Sequence, residues 1–146
     1  MRYAAPLLVV GALALCGACG ATGEEASIER AETRVWLGTV EVARTEADRR
    51  RGLRGHASLA LGQGLVLEAP IEDELCIDNG GVEFAIDAAF ADEAGLVVAI
   101  EREVGAGDAS VRCHRPARFI LEVGAGELTE ARAGDLLRYA SQPARR

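Results

Sequence analysis

Beyond its first twenty residues the chain never sustains an apolar pattern for longer than a short strand. Apolar stretches at 35–43, 64–69, 96–100 and 119–123 are each closed within a few residues by Gly, Asp, Asn or Pro. They mix Val and Ile with Leu, Ala and an occasional aromatic, and they are too short for a packed helix. Such a chain builds an all-β sandwich or barrel. Asn79-Gly80-Gly81, Asp92-Glu93-Ala94-Gly95 and Gly124-Ala125-Gly126 supply the turns. The pattern predicts a compact β-rich domain over 35–140 with one or two short helices. Residues 64–69 end at Pro70, and an acidic turn at 72–74 separates them from a short strand at 75–77. Further strands are expected at 82–91 and 136–140, and the continuous run at 96–100 suits a core strand. One helix is specified locally at 46–51. Thr45 can cap it, Asp48 can complete the cap, Arg49, Arg50 and Arg51 load its last turn, and Gly52 can stop it.

The N-terminus is a targeting segment. Arg2 precedes an apolar run at 7–15, too short to span a bilayer, and Cys16-Gly17-Ala18-Cys19-Gly20 follows. This layout resembles a bacterial lipoprotein signal, cleaved between Ala18 and Cys19 so that Cys19 carries the lipid. An ordinary cleaved signal peptide is the alternative. Gly20, not Asp, follows the cysteine, and by the same resemblance this implies the outer membrane if the host is Gram-negative. Residues 20–33 are small, acidic and aperiodic and read as a flexible tether; 141–146 read as a disordered tail.

Processing leaves two thiols, Cys76 and Cys113. In an exported protein such a pair is expected to bridge. The bridge would close a loop of about 37 residues and contribute about 3–4 kcal/mol by chain entropy. Two separate buried thiols are the alternative.

Several short motifs, in order, resemble the bacterial and archaeal family called domain of unknown function 192. Arg51-Gly52-Leu53 with Leu59 resembles its Arg-Gly-Leu element, and Gly64-Leu65-Val66-Leu67 its Gly-Met-Leu-Phe strand. Cys76-Ile77-Asp78-Asn79 stands where the family often has Trp-Met-Lys-Asn. Ala85-Ile86-Asp87-Ala88-Ala89-Phe90 resembles Pro-Leu-Asp-x-x-Phe, Leu121-Glu122-Val123-Gly124-Ala125-Gly126 resembles Leu-Glu-x-x-x-Gly, and Gly134-Asp135 the closing Gly-Asp. The resemblance implies a compact β-rich domain, often exported, and assigns no biochemical role. Arg54, Leu65 and Ile77 replace family methionines and Cys76 replaces a tryptophan, so no ligand role built on Met or Trp carries over. The interval from Asn79 to Asp87 is also about two residues longer than the commoner pattern.

The charge balance excludes one partner class. Sixteen basic residues, all arginine, face 23 acidic ones, a formal charge of −7, with no basic stripe to bind a nucleic-acid backbone. Among single residues Asp87 stands out, a carboxylate between Ile86 and Ala88. It is either an acid–base group or an anchor for turn amides. Glu122 shares a strand with Phe119, Leu121 and Val123 but points to the opposite face. It could pair with Asp87 as a hydrolytic carboxylate dyad. A zinc site from Cys76, Cys113, His114 and His56 lacks ligand spacing, and adjacent strand residues Cys113 and His114 face apart. The acidic stretch Glu68, Glu72, Asp73, Glu74 and Asp78 has no EF-hand order. Neither a nucleophile elbow nor a phosphate loop occurs. No metal or cofactor is therefore expected. The favoured function is a membrane-tethered, non-enzymatic envelope module binding an unknown protein or polymer; a small hydrolase using Asp87 and Glu122 is the alternative.

Overall fold

The computed structural model describes residues 23–144. The signal segment, Cys16, Cys19 and the last two residues lie outside the described residues. Seven strands form one curled sheet: β1 (Glu24–Arg30), β2 (Thr33–Ala43), β3 (Gln63–Ile77), β4 (Ile86–Ala91), β5 (Val97–Val104), β6 (Arg112–Gly124) and β7 (Leu136–Tyr139). Their spatial order is β5-β4-β6-β3-β2-β1-β7. All pairings are antiparallel except β2 with β3, which a crossover through the short helix α1 (Glu46–Arg51) makes parallel. The sheet curls until its edges meet at one end. Leu96 bridges Leu136, and the Val97 amide donates to the Asp135 carbonyl. The all-β, barrel-like expectation holds, with one short helix among the described residues. No helix among these residues is long and apolar enough to cross a membrane.

Strand alternation divides the buried side chains between the two faces. Val66 of β3, Ala89 of β4 and Phe119, Leu121 and Val123 of β6 point into the curl, packed with Ile28, Leu128 and Leu137. Leu65, Leu67, Phe90 and Ile120 point outward and are covered by Leu53 and Val82 from the flanking loops. Each large side chain so buried contributes about 1.5–3 kcal/mol.

Thr45 caps α1 as its sequence requires, its hydroxyl accepting the Asp48 amide, and Gly52 terminates the helix with φ 51° and ψ −133°. A residue with a Cβ is strained in that conformation. Other local expectations need correction. Residues 24–30 are not tether but strand, with Ala26 and Ile28 buried. The hairpin to β2 turns on Ala31 and Glu32, both at positive φ. This two-residue geometry normally selects Asn-Gly, so the turn carries no sequence signal. The tail is also partly anchored: the Ser141 amide and hydroxyl donate to Glu24, and Gln142 Oε1 accepts the Tyr139 amide. Residues 64–77 form one bent strand instead of two. The register shifts between Glu68 and Leu75 absorb the acidic turn, and such irregularities tolerate Pro70. Residues 96–100 prove to belong largely to the edge strand β5, where Val98, Ala99 and Ile100 are half-buried. A neighbour on only one side leaves such a run partly open to solvent.

Asp87 locks one end of the sheet. Fully buried, it accepts the Glu103 amide on Oδ1 (2.9 Å) and the Gly126 and Leu128 amides on Oδ2 (2.9 and 3.0 Å). Three donors from two other segments converge on one carboxylate, the anchoring role among its two expected readings. Asp87→Asn turns one acceptor oxygen into a donor facing an amide. It is expected to destabilise the fold by about 2–4 kcal/mol, read as a lower urea midpoint. An unchanged midpoint would contradict this role.

Candidate functional site

The outward face of β6 carries the chain's most unusual polar group. Alternation from Leu121 to Val123 turns Glu122 away from the curl, beneath α1 and the loop after it. Gly64 lets β3 run close beside it: a Cβ there would lie 2.8 Å from the Glu122 carbonyl oxygen. Gly52 lies above it, where a Cβ would make only ordinary contact with Glu122 Oε2 at 3.8 Å. Between these elements is a cavity of about 370 Å³. Its apolar walls are Leu53, Leu67, Ile77, Val82 and Ile120; Arg49, Arg50 and Arg54 contribute guanidinium groups; Glu122 and Asn79 contribute buried polar ones. The size and the mostly apolar lining are those of a small-molecule site.

Glu122 is 4% exposed, and its Oε2 has no hydrogen-bond partner among the described residues. Burial pushes its carboxyl up to about 7; Arg54 pulls it back down and Asp78 pushes it further up. Asn79, 0% exposed, has the same property at one atom. Its Nδ2 donates to the carbonyls of Phe84 (2.9 Å), Gly105 (2.9 Å) and Val104 (3.3 Å), which fixes the orientation of the amide. Oδ1 is left buried and unpaired. The arginines, by contrast, are engaged. Arg54 Nη2 reaches Asp78 Oδ1 at 2.7 Å, Arg50 pairs with Glu46, and Arg49 donates to the Arg44 and Glu68 carbonyls. The lining residues thus carry two buried acceptors without a partner and three cations that already have one.

Register rules out the dyad. Ala88 of β4 faces Glu122, whereas Asp87 faces Val123. Residues paired across a ladder share a face, so Asp87 and Glu122 lie on opposite faces of the sheet. Two carboxylates so placed cannot flank one scissile bond. Cys76 and Cys113 sit directly opposite on β3 and β6 and form the expected disulfide, with Cα atoms 4.1 Å apart. Both are exposed, and Cys76 adjoins the cavity. Glu74 lies close to both sulfurs, but these are committed to each other. Of the histidines, His114 bonds Glu101 (2.7 Å) and stacks edge-on to Phe90, while His56 Nδ1 lies 3.3 Å from the Leu53 carbonyl. The motif residues have varied tasks. Leu53 and Phe90 are core, and Gly126 donates to Asp87. The Gly134 amide donates to the Val97 carbonyl, and Asp135 takes a two-pronged pair from Arg30 (2.8 and 2.9 Å).

The family model for DUF192, described as an uncharacterized ACR, matches residues 27–139. The chain belongs to the DUF192 family. No curated protein matches it. Two solved structures share the fold of this DUF192 member. One is from Sinorhizobium meliloti 1021 and is described by a suggested role as a transcription regulator. It is 21% identical, with a TM-score of 0.75 over 80% of this chain and 93% of that one. The other is a protein of unknown function from Novosphingobium aromaticivorans DSM 12444. It is 19% identical, with a TM-score of 0.73 over 78% of this chain and 83% of that one. At these identities the likeness is one of fold. Arg54, Cys76 and Ile77, three of the four departures from the DUF192 pattern, all line the cavity.

The sequence pointed to Glu122 for its strand position but not to its surroundings. Arg54 and Asp78 are 24 residues apart in the chain and meet only through the fold. Because the folded carboxyl titrates near 7 and the ordinary value is 4.5, the native state keeps a proton that the unfolded chain has lost between those values. Stability therefore falls as pH rises through that window, by about 3 kcal/mol in total. Glu122→Gln is expected to abolish this fall and to be the more stable protein above neutral pH. Denaturation curves across that range check it, and parallel pH profiles would refute it.

Proposed function

We propose that the protein is an exported lipoprotein whose DUF192 domain binds a small ligand in the cavity beneath α1 without turning it over. The observation that carries this reading is the buried, unpartnered Glu122 Oε2 at the cavity. An unpaired acceptor costs about 1–3 kcal/mol, and among the described residues only Asn79 Oδ1 is a second such buried side-chain atom. A ligand that supplied the missing hydrogen bond would recover that energy. Separation of Asp87 from Glu122 favours binding over carboxylate-pair hydrolysis. The exposed Cys76–Cys113 bridge suits an oxidising compartment. The small residues ahead of Cys19 support lipidation there.

The chain from Cys19 to the start of β1 at Glu24 is short. Fully extended it reaches about 17 Å, so a lipid on Cys19 would hold the domain close to the bilayer surface. The ligand would then be met at the membrane face, in the outer membrane if the host is Gram-negative.

Two measurements test the two halves of the proposal. Full-length protein should partition into the detergent phase and Cys19→Ser into the aqueous phase; equal partition would overturn the anchor. Amide chemical shifts recorded with a mixed panel of small neutral, cationic and anionic compounds should move at Leu53, Ile77, Asn79 and Ile120. Shifts confined to other surfaces would overturn the binding site.

A further inference from the structure

Two residues that line the cavity each carry a buried acceptor without a partner. Glu122 Oε2 is a carboxylate oxygen, and Asn79 Oδ1 is held as an acceptor by the three carbonyls that take its NH₂ group. With Glu122 ionised, a ligand that completes this site must bring N–H or O–H donors. The guanidinium groups at the cavity are the obvious alternative determinant, since they would select an anion, but each is already held by partners within the protein. Arg50 and Arg54 have carboxylate partners in Glu46 and Asp78, and Arg49 is held by two carbonyls. An anion would share those cations with the partners they already have, whereas a donor group would find Glu122 Oε2 with none.

Charge narrows the ligand further. The titratable and charged groups around Glu122 are Glu46, Arg49 and Arg50 from α1, Arg54 from the loop after it, and Asp78 beyond β3; its β4 neighbour Ala88 is apolar. The three cations are offset by Glu46 and Asp78 together with Glu122 in its ionised form. Burial opposes that form, and a positive ligand group against Oε2 would favour it. The remaining walls, Leu53, Leu67, Ile77, Val82 and Ile120, are aliphatic. Resting on the reading of the cavity as a binding site, we infer that it takes a small aliphatic ammonium ion, the charged amine donating to Glu122 Oε2 and Asn79 Oδ1 while its chain packs on the aliphatic walls. A primary ammonium carries three donors and no acceptor, which matches this pair of atoms. A cavity of about 370 Å³ accommodates a six-carbon amine.

The probes are hexylammonium, 1-hexanol and hexanoate, titrated calorimetrically into the full-length protein. Hexylammonium is expected to bind about tenfold or more tightly than either of the others at about pH 8, and to lose about tenfold in affinity at about pH 6 as Glu122 takes up its proton. Glu122→Gln should remove both the preference and the pH dependence. Should that variant fail to fold, the wild-type protein still decides the matter, because binding near neutral pH should release protons, measured by repeating the titration in buffers of different ionisation enthalpy. Hexanol binding as tightly as hexylammonium, hexanoate binding more tightly, or an affinity indifferent to pH would overturn the ammonium assignment and leave the cavity a binding site. Binding by none of the three would overturn both.

Discussion

In the ladder between β3 and β6, Val66 faces Leu121, Leu67 faces Ile120 and Leu65 faces Glu122. Because successive residues alternate faces, this register assigns each buried side chain of the two longest strands to the inside or the outside of the curl. A shift by one residue would turn Phe119, Leu121 and Val123 outward and bring Glu122 into the apolar interior. Gly64 permits the close approach of the strands at this point. The Cys76–Cys113 bridge ties the same register covalently at its far end. The remaining strands add to this pair, β4 and β5 on one side and β2, β1 and β7 on the other.

Two buried carboxylates from neighbouring strands show how a ladder can give like residues different tasks. Asp87 is saturated by three backbone amides and serves as an internal cap for the segments around it. Glu122, one register step away on the opposite face, lacks a partner at Oε2 and is held near neutrality by burial. Both are carboxylates beside apolar strand residues in the sequence. What separates them is the number of amide donors that other segments bring within reach. A satisfied buried charge is part of the scaffold; an unsatisfied one beside a cavity is what a ligand can use.

The cavity is also where this chain departs from its family. Tryptophan and methionine are expected from the DUF192 resemblance at positions 76, 77 and 54, and here Cys76, Ile77 and Arg54 take their places beside Glu122. Exchanging a large aromatic for a disulfide-bonded cysteine and a methionine for a guanidinium changes the volume and charge of the site while leaving the β3–β6 ladder intact. The fold shared with the two solved structures is compatible with such local change, because Arg54 lies in a loop and Cys76 and Ile77 lie at the end of β3.

Sequence alone determined the elements whose causes are local. Thr45, Asp48 and Gly52 delimit α1 through bonds within one turn, and the short apolar runs closed by turn residues imply an all-β fold because strand alternation is a property of neighbouring residues. The disulfide, too, was legible, since Cys76 and Cys113 are the only cysteines beyond the first twenty residues. Other features were decided by tertiary structure. Residues 24–30 become a strand because β2 and β7 flank them, and their hairpin turn uses Ala31 and Glu32 in place of the usual Asn-Gly. The run at 96–100 looks like core from its composition but largely forms an edge, because burial depends on how many strands surround it. Whether Asp87 and Glu122 cooperate depended on the register of β4 against β6, which no local signal encodes. The site itself exists only because the loop after α1 folds over β6 and carries Arg54 to Asp78. That contact spans 24 residues, and its energy appears only after the sheet beneath it has formed.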